Sequence, residues 1–317
     1  MPAHPGQGIR RNDYPVHRNS RPLSVFTVTG ARPGPVLTAI GGVHGDEMEG
    51  PLTLSALLRD LDPAKLAGTV IICPVANGEA IAAYTRCSPA DGKNLARCFP
   101  GDLRGSYTEA LAALIAEHVI IPADYLVDLH SGGVALDSVT FAGYGDAPDG
   151  VGSKARAMAE AFGAPVVWRH EPPMAPGRTL SVADAHGIPA IYVEAGGGPS
   201  PPADVLQIYG AGMFGVLRCL GMYADENGRP PLPALHVVGA GDLDVAGPSP
   251  ATGICTCHVN LLDRLAPDTV CFTIADLDGS PRATVRAGTH GYAMFLRRNR
   301  WVEAGELLMA VAVDDPA

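Results

Sequence analysis

The sequence lacks any long run of lysines or arginines, and it lacks any apolar stretch long enough to span a bilayer. With a net charge of −10, the chain is not expected to bind nucleic acid or an anionic membrane surface, because both attract positive charge. The polar segment from Met1 to Pro22 also lacks the apolar core of a signal peptide. Together these absences predict a cytoplasmic protein whose partners are small molecules.

The chain also lacks the dense, even set of cysteines that a secreted disulfide framework requires. Its seven cysteines are scattered through segments typical of core or strand, and we interpret them as small apolar residues. Cys255 and Cys257 are one residue apart, and alternating positions on a strand explain that spacing better than a metal site does.

Enough apolar sequence is present to form a sizeable core. Hydrophobic residues make up 47% and charged residues 18% of the 317 residues, which argues against wholesale disorder. This length fits one large domain, alone or with a smaller one. The sequence contains no internal repeat and no low-complexity segment.

Strand-like and helix-like segments alternate through the first two thirds of the chain. The patterns predict strands at 23–29, 35–42, 69–75, 123–129, 164–168 and 188–194, and helices at 51–58, 109–120, 153–162, 180–186 and 205–219. This alternation indicates an α/β fold with a sheet between layers of helices. After Asn227–Pro231 only short strand-like pieces follow. We therefore predict a larger domain over 1–232, with 1–22 as an N-terminal extension, and a smaller β domain over 233–317.

Two histidines and a glutamate follow two of the predicted central strands. His44 and Glu47 come just after the strand at 35–42, and His130 directly follows the strand at 123–129. Because ligands gather at the carboxyl ends of strands in open α/β sheets, these side chains can converge. Two imidazoles and one carboxylate suit a catalytic zinc ion, which keeps one position open for water. Taken alone, His44 would be read as a turn residue, Glu47 as an acid in the first turn of a helix, and His130 as a buried histidine. The two strand ends together favour a metal site.

Two further carboxylates lie near strand ends. Asp128 is two residues before His130, so both side chains lie on one face of the strand and Asp128 could orient the imidazole. A structural aspartate explains Asp128 nearly as well. Glu194 ends the apolar strand at 188–194, where burial without a partner is unfavourable. A hydrolytic metal site needs a base, and Glu194 is the best candidate, against the alternative of a carboxylate capped by the turn at 196–198.

The segment from Tyr84 to Gly101 reads as a long loop dense in turn residues, and such loops are commonly functional. Arg86 and Arg97 in this loop are suited to polarising a scissile carbonyl and binding a substrate carboxylate, although surface arginines would give the same pattern. Arg178, in a later loop, is a candidate substrate contact. Three histidines, His170, His186 and His290, are further candidate pocket residues.

On these motifs the chain resembles the succinylglutamate desuccinylase/aspartoacylase family, which is related to the zinc carboxypeptidases. The similarity covers roughly residues 35–200 and rests on four elements. They are Gly42-Val43-His44-Gly45-Asp46-Glu47, the loop ending Arg97-Cys98-Phe99-Pro100-Gly101, Asp128-Leu129-His130, and the strand ending at Glu194. Within the family, segments such as His130-Ser131-Gly132-Gly133 look most like the N-acetyl-diaminobutyrate deacetylase branch. The resemblance implies a three-layer α/β/α, zinc-carboxypeptidase-like domain with a smaller C-terminal β domain.

The resemblance also implies a role for each candidate residue. It implies His44, Glu47 and His130 as ligands of one zinc ion per subunit, Glu194 as general base, Arg86 as oxyanion stabiliser, and Asn94 and Arg97 as substrate-pocket residues. The chain departs from the family at Ala96, where an asparagine that helps to hold the substrate carboxylate usually precedes the pocket arginine. This departure leaves the metal chemistry intact and leaves the natural substrate open.

The sequence therefore predicts a zinc-dependent amidohydrolase that cleaves the linear amide bond of small N-acylated amino acids or related amides. The alternatives are a carboxypeptidase-like peptidase with the same metal site and a non-catalytic binding protein on the same fold. The peptidase would need a pocket that recognises a terminal carboxylate, which Ala96 weakens. The binding protein is disfavoured because the three ligands and the base are all present. The oligomeric state is not fixed by the sequence, and a homo-oligomer is compatible with it.

Overall fold

The computed structural model describes residues 7–224, 234–239 and 246–316. The predicted domain boundary at 232/233 and the segment Asn227–Pro231 lie outside the described residues. Among the residues that are described, no helix combines the length and the apolar character that crossing a membrane requires.

The described residues form strands and helices that we number in chain order. The strands are β1 (Gly8–Tyr14), β2 (Leu23–Thr29), β3 (Arg32–Gly41), β4 (Ala67–Cys73), β5 (Tyr125–Leu129), β6 (Leu136–Ser138), β7 (Phe141–Gly145), β8 (Val166–His170), β9 (Ala190–Glu194), β10 (Leu235–Val238), β11 (Gly253–Cys257), β12 (Arg264–Leu265), β13 (Val270–Ala275), β14 (Pro281–Arg286), β15 (Gly291–Arg297), β16 (Trp301–Val302) and β17 (Met309–Asp314). The α-helices are α1 (Glu49–Asp60), α2 (Gly78–Ala83), α3 (Tyr107–Ile115), α4 (Val151–Phe162), α5 (Thr179–Ala185) and α6 (Ala203–Cys219), and a π-helical turn (Ala116–Ile120) continues α3.

One large mixed sheet contains thirteen of these strands. Their order is β1-β2-β4-β3-β5-β9-β7-β8-β10-β17-β15-β12, with β6 paired to β15. The centre, β4-β3-β5-β9, is parallel, whereas β2 and β7 join it as antiparallel neighbours. β3, β5 and β9 are rich in apolar residues because a sheet covered on both faces buries both sets of side chains. Since parallel strands end at the same edge, the carboxyl ends of β3, β5 and β9 lie side by side.

Helices cover both faces of this sheet. Side chains of α1, α4 and α6, such as Leu54, Met158 and Met213, share one buried core with the sheet. Side chains of α3, α5 and the π-helical turn form the core on the opposite face. The predicted three-layer α/β/α architecture is confirmed.

The C-terminal residues divide between two sheets. Strands β10, β12, β15 and β17 extend the large sheet, and β6 of the preceding region pairs with β15. The remaining strands form a smaller sheet in the order β14-β13-β11-β16. This sheet has its own core, which includes Cys255 and Phe272. The predicted run of short C-terminal strands and the interpretation of Cys255 and Cys257 as alternating strand positions agree with this arrangement.

Three strands in the first two thirds of the chain, β1, β6 and β7, were not predicted, and β6 is only three residues long. β1 lies in the expected N-terminal extension and pairs with β2 at the edge of the sheet, and its charged, mostly exposed sequence hides the strand pattern. β7 contains two glycines, which weaken strand signals. The predicted helix at 109–120 is present as α3 followed by the π-helical turn.

Candidate active site

The strand ends bring the predicted site residues together. β3 leads through Gly42, which has a φ of 64°, to His44. β5 leads to His130, and β9 ends at Glu194. Because β5 pairs in parallel with both β3 and β9, these three residues emerge at one edge of the sheet. Sequence reasoning predicted this convergence, and the strand order is its physical cause.

His44, Glu47 and His130 form a buried cluster. Each of the three residues offers one ligand atom, and these atoms lie within 4.8 Å of one another. Glu47 is 2% exposed, His44 3% and His130 9%. A carboxylate and two imidazoles this deeply buried need a counter-charge or a metal ion to be stable.

The hydrogen bonds of His44 leave its Nδ1 atom turned toward the centre of this cluster. Its Nε2 atom lies 3.0 Å from Asn94 Oδ1. That oxygen also accepts the backbone N–H of Ala96, which identifies it as the amide carbonyl. Nε2 must therefore carry the hydrogen, and Nδ1, 2.7 Å from Glu47 Oε1, can supply a lone pair. Burial lowers the pKa of His44, which favours this neutral form.

His130 is arranged in the same way. Its Nε2 atom lies 3.0 Å from Asp128 Oδ2, and its Nδ1 atom lies 3.0 Å from Glu47 Oε2. Thr179, the first residue of α5, donates a hydrogen bond to the same oxygen of Asp128. Tyr209 of α6 donates to the His130 backbone carbonyl at 2.7 Å. The orienting role predicted for Asp128 agrees with these contacts.

The cluster fits a zinc ion by the chemistry of its donors. Two Nδ1 atoms and one carboxylate face one another, and each imidazole donates its other N–H to an oxygen, as metal-binding histidines almost always do. Burial would lower the pKa of His130, but the adjacent charges of Asp128 and Glu47 raise it well above its usual value. Burial would raise the pKa of Glu47, but His44 and His130 hold it well below its usual range. In the metal-free protein His130 therefore holds a proton, and binding of a metal ion would release that proton.

Glu194 lies beside this cluster and lines the same cavity as His44 and His130. Its Oε2 atom is buried and has no hydrogen-bond partner among the described residues. Burial, followed by the negative charge of Glu47, raises the pKa of Glu194 to about 8. A carboxyl group with this proton affinity can both accept and return a proton near neutral pH.

Four arginines line the cavity, and the sequence had singled out three of them, Arg86, Arg97 and Arg178, as candidate site residues. Arg86 donates to Glu47 Oε1 at 2.9 Å, and its side chain is 41% exposed. Arg97 and Arg178 line the cavity and donate to the carbonyls of Ala96 and Pro176. These guanidinium groups give the cavity cationic groups suited to an anionic substrate.

Asn94 and two of the three pocket histidines have other contacts than predicted. Asn94, expected in the substrate pocket, lies behind His44 and is not among the residues that line the cavity. His186 bonds to the carbonyl of Val182, and His290 is exposed. His170 is buried and contacts Tyr192, which does line the cavity. Tyr192 was not singled out from the sequence.

The cavity has a volume of about 390 Å³, and the C-terminal region supplies one of its walls. Phe295 and Arg297 of β15 and Leu307, which precedes β17, line it together with the strand-end residues. These wall residues were missed because no local motif marks them. Phe295 and Arg297 lie opposite Ser138 and Leu136 in the pairing of β15 with β6, which fixes their place beside the cavity.

Comparison with known proteins agrees with this geometry. The family model of the succinylglutamate desuccinylase/aspartoacylase catalytic domain matches residues 33–220. The N-α-acetyl-L-2,4-diaminobutyric acid deacetylase of Halomonas elongata is 32% identical over 290 residues, which cover 90% of this chain and 84% of the relative.

Solved structures extend the similarity to nearly the whole chain. The product-bound ectoine utilization protein of Ruegeria pomeroyi has a TM-score of 0.87 at 26% identity and covers 99% of this chain and 97% of its own. A succinylglutamate desuccinylase/aspartoacylase from Rhodobacter sphaeroides has a TM-score of 0.86 at 27% identity, with coverage of 98% and 95%. The fold of the C-terminal strands is therefore shared as well.

Proposed function

This chain belongs to the succinylglutamate desuccinylase/aspartoacylase family, and we propose that it is a zinc-dependent deacylase that hydrolyses the amide bond of small N-acylated amino acids. The named relatives are amide-cleaving deacylases. One observation carries the proposal for this chain. The two Nδ1 atoms and the carboxylate of His44, His130 and Glu47 converge at the edge of a cavity that Glu194 also lines.

His44, Glu47 and His130 would hold the zinc ion, which supplies Lewis acidity that acidifies water and polarises a carbonyl oxygen. Asn94 and Asp128 keep the two imidazoles in the tautomer that ligation needs. On this basis we assign Asn94 to the orientation of His44 rather than to contact with the substrate.

Glu194 is the proposed general base and then acid. Its unpartnered Oε2 atom can accept the proton of the attacking water, and the protonated carboxyl group can pass that proton to the departing amine. Burial keeps the proton affinity of Glu194 high enough for both transfers.

We assign two further roles, oxyanion stabilisation and carboxylate binding, to the arginines of the cavity. Arg86, the arginine that contacts Glu47, would stabilise negative charge developing on the carbonyl oxygen. Arg97 and Arg178 would bind the substrate carboxylate. Ala96, which lines the cavity where the family usually has an asparagine, leaves that contact to the arginines.

The β-rich region and the cellular setting complete the proposal. We propose that residues 233–317 form a smaller domain that closes one wall of the cavity in the catalytic domain, because Phe295, Arg297 and Leu307 line it. A cytoplasmic location and small-molecule substrates are part of the same proposal.

Metal analysis of the purified protein, paired with a hydrolysis screen over N-acetyl amino acids and short peptides, tests this function. We expect about one zinc per chain and release of acetate from N-acetyl amino acids. The variant Glu194→Gln should keep its zinc while kcat falls roughly 10²- to 10⁴-fold. Absence of stoichiometric zinc would contradict the mechanism, whereas a zinc-loaded and fully active Glu194→Gln variant would contradict only the assigned base.

A further inference from the structure

The turn that follows Glu194, here called the Glu194 turn (residues 195–198), is held by an arginine of the C-terminal region. Arg298, the residue after β15, donates from Nη2 to the carbonyl of Gly196 at 2.7 Å and from Nη1 to the carbonyl of Gly197 at 3.2 Å. One planar guanidinium group thus binds two consecutive carbonyls and restricts the direction of both. A Cβ atom on Gly198 would lie 2.3 Å from Arg298 Nη1, so this glycine leaves the space that the guanidinium group fills.

The same arginine contacts the segment that follows His130, here called the His130 turn (residues 131–135), and the strand β6 after it. The backbone N–H of Arg298 donates to the carbonyl of Ala135 at 2.8 Å, and Arg298 Nη2 lies 3.1 Å from Asp137 Oδ1. The side chains of Arg298 and Asp137 are 34% and 46% exposed, so their ion pair contributes little stability by itself. What the contacts achieve is geometric, because one residue connects the Glu194 turn with the His130 turn.

The two turns also bond directly to each other. The N–H of Gly132 donates to the carbonyl of Ala195 at 2.9 Å, and the N–H of Gly198 donates to the carbonyl of Gly133 at 2.8 Å. A Cβ atom on Gly197, which has a φ of 69°, would lie 2.5 Å from the backbone nitrogen of Gly133. The backbones therefore approach too closely for a side chain at this position, and the two turns form one packed unit.

The side chain of Glu194 depends on this unit for its position. Its buried Oε2 atom has no hydrogen-bond partner among the described residues, so no bond to that atom fixes the carboxyl group. Glu194 is the last residue of β9, and the pairing of β9 with β5 ends one residue earlier, at Val193. The backbone that carries the proposed base is therefore held on one side by a strand end and on the other by the Glu194 turn.

We propose that Arg298 is a positioning residue for the reaction: by holding the Glu194 turn against the His130 turn, it keeps the carboxyl group of Glu194 at the distance from the metal-binding cluster that proton transfer needs. This inference rests on the proposed deacylase function and extends it to the C-terminal region, which then contributes to the chemistry as well as to the wall of the cavity. Arg298 is not among the described residues that line the cavity, so it acts through these backbone contacts and not by touching the substrate.

Arg298→Met tests the assignment, because methionine keeps much of the length of the side chain and removes all of its N–H donors. The substrate is the N-acetyl amino acid that wild type hydrolyses fastest, and kcat is expressed per bound zinc so that unfolded protein is not counted. We expect kcat to fall roughly 10- to 100-fold, because a displacement of about 1 Å can slow an enzyme by such a factor. KM and zinc affinity should stay close to their wild-type values, since the cavity arginines and the proposed ligands keep their own contacts.

Two further variants separate positioning from general damage to the fold. Arg298→Lys keeps the charge and a donor for the carbonyls, so its kcat should lie between those of wild type and Arg298→Met. Arg300→Met is the matched control, because Arg300 is an exposed arginine of the same connection and donates to the carbonyl of Arg297; its kcat should equal that of wild type. The inference would be overturned by an unchanged kcat in Arg298→Met, by KM or zinc affinity worsening as much as kcat does, by a lysine variant as slow as the methionine variant, or by an equal loss in Arg300→Met.

Amide hydrogen exchange in the metal-free protein distinguishes failure of this inference from failure of the proposed function, because it needs neither turnover nor zinc. The N–H groups of Gly132 and Gly198, which join the two turns, should exchange faster in Arg298→Met than in wild type, whereas N–H groups within β3 and β5 should keep their rates. If wild type hydrolyses no N-acetyl amino acid, the deacylase proposal fails, and faster exchange at Gly132 and Gly198 would still support the assignment of Arg298. Unchanged exchange at both positions would overturn it.

Discussion

The metal-binding end of the cavity and its C-terminal wall are built in different ways. At the metal-binding end, His44 and His130 follow neighbouring parallel strands, and both polar nitrogens of each ring have a partner. The wall is assembled from Phe295 and Arg297 of β15 and from Leu307, which precedes β17; both strands join the sheet far from its parallel centre. The comparison teaches that the order of the central strands positions the proposed metal ligands, whereas the shape of the cavity depends on strand pairings far from that centre.

The largest expected effect at the metal-binding end concerns Glu194. The pKa of Glu194 is about 8 in the fold, against an ordinary value of 4.5, so the metal-free folded state holds its proton more tightly than the unfolded state does. The free energy of unfolding must then fall as pH rises above the unfolded pKa of 4.5, and this loss is complete above pH 8. Glu194→Gln removes the titration.

Urea unfolding of the metal-free protein at pH 6 and pH 9 measures this difference. Wild type should lose about 3 kcal/mol more than Glu194→Gln between these two pH values, since tenfold in proton affinity corresponds to about 1.4 kcal/mol. An equal loss in the two proteins would show that the fold does not raise the pKa of Glu194. A raised carboxyl pKa would then no longer distinguish the metal-binding end of the cavity from the wall.

The same contrast explains what the sequence could predict. His44, Glu47, His130 and Glu194 each follow or end an apolar run, so strand prediction alone placed them at one edge of the sheet. Asn94 was expected in the substrate pocket from the family resemblance, and only the tertiary structure places its oxygen against His44. Neither motif nor periodicity could have revealed the pairing of Tyr192 with His170, because it depends on β7 lying between β9 and β8.

A second prediction tests whether the hydrogen bonds around the metal-binding end tune metal affinity. Asp128→Asn preserves the size of the side chain but removes the charge that faces His130 Nε2. We expect zinc affinity to fall roughly 10- to 100-fold, the usual effect of losing such a partner. Competition with a chromogenic chelator measures it.

Two further variants calibrate that result. Thr179→Val, which removes only the hydroxyl that donates to Asp128, should lower zinc affinity less than Asp128→Asn does. Asp204→Asn, at an exposed position in the first turn of α6, is the matched control and should have no effect. If Asp128→Asn bound zinc like wild type, the contact with His130 would be structural only.

The smallest expected effect lies at the wall. Leu307→Ala removes part of an apolar, partly buried side chain that lines the cavity, which should weaken substrate binding by about 1 kcal/mol, or roughly fivefold in KM. Zinc affinity should not change, because the side chain of Leu307 has no atom that could bind zinc or form a hydrogen bond with the three proposed ligands. Leu277→Ala, at a site 77% exposed, is the matched control and should leave both quantities unchanged. Steady-state kinetics measure KM, and chelator competition on the same preparations measures zinc affinity. A parallel loss of zinc affinity in Leu307→Ala would mean that the wall and the metal-binding end form one cooperative unit.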